Sequence, residues 1–422
     1  MRTPNTAHDS QGNRMTGGWP RPGALVLAGG IIMGVALGVR HVQGLFLLPV
    51  TIEHGWSREL FAIAIAAQNL VWGLSQPLAG MAADLVGARK VLVGGVLLYA
   101  AGVLGMAWAD GPVLFILSAG LLAGVGQAGT TFGVVYPALS RLASPERQGW
   151  VLGAAGAVGG LGQFVLVPLA QQLISRLGWH GALLLLGTLI AASLPLTAWL
   201  DDRASGTAAA QASPRGVAPL LAAVREAFGH QGFWLLTLGF FACGFQLAFI
   251  GNHLPAYLLD RGLSPQAGAA ALATVAAANV AGIYYCGLLG SRLRRKYLLA
   301  GIYVLRSVAM ALFVLLPAST WGAILFAAAM GFLWLGTVPL TNGVLGQVFG
   351  VHYLSTLFGF VFLSHQLGSF LGVWLGGRVF DATGSYEPIW LAAIGLGLVA
   401  AALHWPINDR QLIRPAAARL PA

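Results

Sequence analysis

The chain has 422 residues, of which 57% are hydrophobic and only 9% charged, with a mean hydropathy of +0.77. A soluble globular chain carries roughly 25% charged residues, so water is excluded as the solvent for most of this one. A membrane-spanning helix needs about 20 apolar residues, and the apolar material here suffices for roughly twelve. The formal charge of +10 would suit a nucleic-acid partner only if the basic residues shared one solvated face; they are scattered through short loops, so no nucleic acid is expected. Cys243 and Cys286 both fall in apolar segments, which implies no disulfide framework, no metal site and no cofactor.

In chain order, a polar tail over 1–22 precedes an apolar run from Ala24 to Leu48. That run is too long for a signal-peptide core and is expected to be a retained first span. The length criterion places spans near 24–49, 60–82, 91–108, 113–139, 150–174 and 181–200. A second set falls near 233–258, 267–290, 298–316, 321–348, 354–379 and 389–406. The domains are therefore a six-helix unit over 23–200, a linker over 201–230 with a helical stretch at 220–228, a second six-helix unit over 231–407, and a tail over 408–422. Basic loops stay on the cytoplasmic side. With both termini inside, 17 Lys and Arg fall in cytoplasmic segments and 4 outside, leaving only Arg40 and Arg306 within spans.

The two halves also resemble each other at a shift of 206 to 207 residues: Gly80 aligns with Gly287, and Gly153, Gly162 and Gly178 with Gly359, Gly368 and Gly384. A parallel repeat of this kind predicts two bundles related by an axis along the membrane normal, with a binding site between them. The expected fold is an all-α membrane protein of twelve transmembrane helices in two pseudo-symmetric bundles.

Between the second and third spans the sequence reads Gly80-Met-Ala-Ala-Asp84-Leu-Val-Gly87-Ala-Arg89-Lys90. This resembles the loop signature of the major facilitator superfamily, with Leu85 standing where a basic residue is usual. Two stretches, His41-Val-Gln-Gly44 through Pro49 with Gly55-Trp-Ser-Arg58, and Phe358 through Gly368, look like its bacterial branch related to monocarboxylate transporters and oxalate/formate exchangers. The resemblance implies a secondary transporter, not an enzyme, in which Gly80, Asp84, Gly87, Arg89 and Lys90 form a gating loop. Asp84 sits at the carboxyl end of its helix dipole and needs a compensating partner, such as Arg89 or a helix start in the other half. In that branch an aspartate and an arginine stand four residues apart in the eighth span; here those positions are Asn279 and Ile283. Gly120, where proton-coupled drug exporters carry an arginine, makes drug efflux the lesser alternative.

All 13 acidic residues fall in loops or at span ends, so no deep carboxylate awaits a cation. Arg40 and Arg306, by contrast, lie deep in their spans, where a lone guanidinium costs at least a few kcal/mol. The expected partner is an incoming anion, for which a planar guanidinium fork is well shaped; the alternatives are hydrogen bonding between helices for either arginine and outward snorkelling for Arg40, which lies in the outer half of its span while Arg306 is central. Further candidate substrate-binding residues are His41, Gln68, Gln127, Thr131, Tyr136, Asn252, Asn279, Trp334, Thr337, Thr341, His365 and Gln366, with Asn69, Gln76, Gln163, His253 and Asn342 beside them. Gln127 and Thr131 are expected to share one helix face, as are Trp334, Thr337 and Thr341. If protons are coupled, His41, His253 or His365 must carry them, since histidine titrates near neutral pH; exchange needs no such residue. The expected protein is a monomer in the bacterial inner membrane moving a small organic anion, a mono- or dicarboxylate. Efflux of an amphipathic compound and a non-transporting receptor are the alternatives.

Overall fold

The computed structural model describes residues 22–56, 58–202 and 216–412. The basic residues expected in the tails and linker at Arg2, Arg14, Arg21, Arg203, Arg215, Arg414 and Arg419 lie outside the described residues. Among the described residues there are helices and no strand, as a bilayer demands of backbone that must satisfy its own hydrogen bonds.

The first bundle holds α1 (Pro22–Val42), α2 (Arg58–Val86), α3 (Ala88–Ala107), α4 (Pro112–Leu142), α5 (148–177) and α6 (179–192, with a 3-10 tail Leu194–Leu200). Between α5 and α6 the helical path turns back at Gly178, whose φ of +69° suits glycine. A linker helix, Val217–Phe228, leads to the second bundle. That bundle comprises α7 (Gln231–Asp260), α8 (Pro265–Arg292), α9 (Arg295–Leu315), α10 (Thr320–Phe349), α11 (Leu354–Thr383) and α12 (Glu387–His404).

Among the described residues, eleven helices are long and apolar enough to cross a membrane. The twelfth expected span, α2, falls short in composition rather than length: its 29 residues include Gln68, Asn69, Ser75 and Gln76. Polar side chains within a span are tolerated when they face protein or a cavity, and α2 packs between the bundles against α11.

Two continuous helices expected from the sequence are broken. In α4 a π-helical turn, Leu117–Leu122, is followed by extended backbone at Thr131 (φ −111°, ψ −164°), where Thr130 and Thr131 turn their hydroxyls onto the Gly126 and Gln127 carbonyls. In α10, Thr320–Phe332 stops and Thr337–Phe349 restarts, so Trp334 stands in the break rather than on one face with Thr337 and Thr341. Pro339 contributes, because its ring crowds the carbonyl four residues earlier. Neither shared face survives as a continuous helical stripe.

The packing tells where the bundles meet. One apolar core combines both bundles, joining Leu25, Leu139 and Leu152 with Leu340, Phe358 and Phe362 near the face where the described chain begins and ends. Toward the opposite face the core divides: one cluster lies entirely in the first bundle (Phe46, Phe115, Trp179) and another entirely in the second (Phe249, Phe326, Trp390). Glycines follow the same division. A Cβ built at Gly80 would strike the Ser355 carbonyl, one at Gly359 would stand 2.7 Å from Pro77 Cα, and one at Gly153 2.8 Å from Gly287 Cα. Farther along α11, Gly368 and Gly372 instead press against Phe241 and Phe245 of α7, within their own bundle. The bundles are thus sealed at the terminal face and part toward the far face.

Candidate functional site

The seal is organised by one carboxylate. Asp84, near the end of α2, is buried and accepts hydrogen bonds at 2.7 Å from both the backbone N–H and the hydroxyl of Thr356, the third residue of α11. An anion at a helix amino terminus is satisfied by free N–H groups and the dipole together. Arg141, at the end of α4, donates to Asp84 at 3.0 Å, to Asp202 at 2.7 Å and across the seam to the Val351 carbonyl at 3.2 Å. Asp202 also accepts from Ala88 N at 3.1 Å, capping the start of α3. Of the two partners expected for Asp84, the helix start in the other half is therefore present. Arg89 is not its partner: it reaches out to Asp201 at 3.1 Å, and Lys90 is exposed. Gly87 takes φ +95° at the turn. Arg141, Asp202, Ser355 and Thr356 were missed in the sequence, where Arg141 counted only as a topological charge. Its position at a span end, close to a short loop holding Glu146 and Arg147, carried no signal of burial.

At mid-depth Arg40 extends from α1 onto α2. Its Nη2 donates to Asn69 Oδ1 and its Nη1 lies 3.5 Å from Gln68 Oε1, while the guanidinium carbon stands 4.9 Å from the centroid of the Trp72 ring. Arg40 is half-buried and has no carboxylate partner among the described residues. Two of its five N–H groups are thus engaged. The surface it rests on is fixed from behind: Gln68 donates to the Ala119 carbonyl at 2.8 Å, Trp72 Nε1 to Gln76 at 3.0 Å, and Gln76 to the Ala128 carbonyl at 3.0 Å. From the second bundle Gln366 reaches the Asn69 carbonyl at 3.4 Å, His365 Nδ1 lies 3.2 Å from Gln366 Oε1, and Phe362 packs against Trp72 at 5.0 Å. Arg40, Gln68, Asn69, Trp72, His365 and Gln366 are therefore brought together at the seam where the bundles begin to part.

Arg306 is not brought there. It is fully buried inside the second bundle, with Nε 3.0 Å from the Leu333 carbonyl and Nη2 2.6 Å from it. Nη2 also bonds the Trp334 carbonyl, and Nη1 lies 3.4 Å from both Cys243 Sγ and Gln246 Oε1. All five N–H groups are committed, to acceptors within the bundle. Of the two roles expected for Arg306, this geometry matches a bridge between neighbouring helices, because the broken helix supplies backbone carbonyls as acceptors.

The remaining candidates divide similarly. Asn279 accepts from Leu335 N at 3.0 Å, and Thr337 lies 3.3 Å from Cys243; both serve the α10 break. Gln127 donates to Tyr99 at 3.2 Å. Tyr136 is buried against Gly156, and Thr131 and Thr341 are buried. His41 and Asn252 are exposed, Asn252 bonding the Ala248 carbonyl of its own helix. His253 spends both ring nitrogens, on the Val373 carbonyl at 2.9 Å and the Tyr386 hydroxyl at 3.3 Å. Among the described residues no cluster of His, Cys, Asp or Glu could hold a metal ion.

Two six-helix bundles sealed at one face, with a polar mid-depth seam, have the architecture of a polytopic membrane transporter. The comparisons with known proteins agree. The Major Facilitator Superfamily profile matches residues 26–373. Human monocarboxylate transporter 11 is 30% identical, over 95% of this chain and 86% of its own. An uncharacterized MFS-type transporter, YcxA of Bacillus subtilis (strain 168), is 25% identical over 87% of this chain and 90% of its own. Among solved structures, the transporter FucP in its outward conformation superposes with a TM-score of 0.71 at 15% identity, covering 92% of this chain and 98% of that one. The chain belongs to the major facilitator superfamily and is a multi-pass membrane transporter similar to the monocarboxylate transporters.

Proposed function

We propose that this protein carries a small organic anion across the bacterial inner membrane by alternating access, with both termini cytoplasmic and the state described here open to the outside. One observation carries the reading: Arg40 is a half-buried guanidinium at the bundle seam with no carboxylate partner among the described residues and with three of its N–H groups uncommitted. A carboxylate is the complement of such a fork. Asn69, Gln68 and Gln366 add amide groups around it, and Trp72 with Phe362 forms an apolar wall for the rest of a small substrate. The human relative, a monocarboxylate transporter by name, points the same way. Coupling to protons and exchange of one anion for another are both compatible with this site, where His365 lies 3.2 Å from Gln366.

The test is a thermal-shift screen of the purified protein against formate, acetate, pyruvate, L-lactate, oxalate and succinate. A carboxylate bound by two charge-assisted hydrogen bonds gains about 3 kcal/mol from them, so Arg40→Ala should weaken binding about 100-fold. Arg40→Lys, a point charge without the fork, should recover only part of this. Equal binding by wild type and Arg40→Ala, or stabilisation by neutral solutes alone, would sink the anion site.

A further inference from the structure

We infer that Arg306 is a positioning residue: it pins the break in α10 to α7 and α9, and so sets how the second bundle swings between its two states. The first support is the accounting of donors. A helix that stops leaves carbonyls without intrahelical partners, and its carboxyl end carries partial negative charge. The first segment of α10 ends at Phe332, and Arg306 of α9 delivers three N–H groups to the two carbonyls that follow, those of Leu333 and Trp334. Its other two go to Cys243 and Gln246 of α7. Asn279 of α8 holds the other side of the break through Leu335 N, and Cys243 lies 3.3 Å from Thr337, where α10 restarts. The α8 backbone closes in as well: a Cβ at Gly282 would strike the Phe332 carbonyl, and one at Gly331 would stand 2.5 Å from the Val275 carbonyl.

The second support comes from the repeat and is independent of Arg306 itself. At the shift of 207 residues, Arg306 corresponds to Tyr99, Cys243 to Ala36 and Trp334 to Gln127. In the first bundle Tyr99 of α3 donates to the Ala36 carbonyl of α1 at 3.0 Å and accepts from Gln127 of α4 at 3.2 Å, four residues before α4 breaks at Thr131. The same outer helix therefore ties the same two inner helices, at the same place, in both halves. Tyr99 does it with a neutral hydroxyl and Arg306 with a charge. A guanidinium held by five hydrogen bonds to four acceptors resists separation more than one hydroxyl does, so the second bundle has the stiffer joint and the first the freer one.

The experiment needs no substrate. In nanodiscs, hydrogen exchange is followed in peptides covering 331–338, and the far-face separation is read by spin-label distances between Leu177→Cys and Leu259→Cys, both exposed positions in different bundles. Arg306→Gln should speed exchange at 333–338 at least tenfold and broaden or shift the far-face distances. Arg306→Lys, which can reach one carbonyl but not fork, should fall between. Tyr99→Phe should loosen the first bundle only. Exchange within twofold of wild type in Arg306→Lys and Arg306→Gln overturns the pin. A loosened break with unchanged far-face distances overturns its role in the swing. Because neither measurement involves an anion, this inference can fail while the Arg40 site stands, and the reverse.

Discussion

Replacing Asp84 by alanine tests the seal at its centre. Its carboxylate accepts two hydrogen bonds at 2.7 Å from Thr356 and one at 3.0 Å from Arg141. The two from Thr356 cross the seam between bundles and exist only while the terminal face is closed. Hydrogen bonds to a charged group are worth about 1.5–3 kcal/mol each, net of water. Losing two therefore removes at least about 3 kcal/mol from the closed state, or roughly 100-fold in the closed-to-open ratio at ~1.4 kcal/mol per tenfold. Folding should suffer less. Arg141 is not stranded, since Asp202 still accepts from it at 2.7 Å, whereas removing the sole partner of a buried cation costs about 3–5 kcal/mol. The assay is a spin-label distance between Val86→Cys and Leu293→Cys, exposed positions at the terminal face of the two bundles. Wild type should give a short, narrow distribution and Asp84→Ala a longer or bimodal one, with Asp84→Asn between. Arg89→Ala is the control: its pair with Asp201 is half exposed and within one bundle, worth at most about 1 kcal/mol. Distributions of Asp84→Ala and wild type that superimpose would refute the reasoning.

Gly80→Val should have a steric version of the same effect, because its side chain would collide with the Ser355 carbonyl across the seam; the Val86–Leu293 distance should lengthen although no charge is lost. Gly178→Ala places a side chain at φ +69°, ψ 173°, a region essentially restricted to glycine at a cost of about 1–3 kcal/mol. It should lower the melting temperature without moving the terminal-face distance. At the end of the described chain, hydrogen bonding from Arg294 holds the Asp409 carboxyl below its ordinary value. A depressed carboxylate stabilises the fold above its unfolded pKa of ~3.9 and loses that contribution as pH falls through the lower folded value. Protection against hydrogen exchange at 405–412, taken relative to the intrinsic rate at each pH, should therefore fall on acidification below about pH 4, and Asp409→Asn should abolish that pH dependence; an unchanged profile in the variant would remove the Arg294 pair as its cause.

The fold was legible because a bilayer leaves a chain few choices: apolar length gives the spans, and the repeat gives two bundles. Asp84 was legible for a related reason, since a carboxylate at the wrong end of a helix dipole must be compensated. What compensates it was not legible, because Arg141 and Thr356 lie 57 and 272 residues away and only packing brings them within 3 Å. The sharpest division concerns Arg40 and Arg306, which the sequence presents as cations within spans and without a carboxylate, the first in the outer half and the second central. Tertiary structure separates them by their acceptors. A break in α10 creates free carbonyls that consume every donor of Arg306, while the parting of the bundles leaves Arg40 half-exposed on the polar face of α2. Hydropathy along a chain records whether a charge lies in the membrane; which backbone groups a broken helix frees to meet it is decided only when the helices pack.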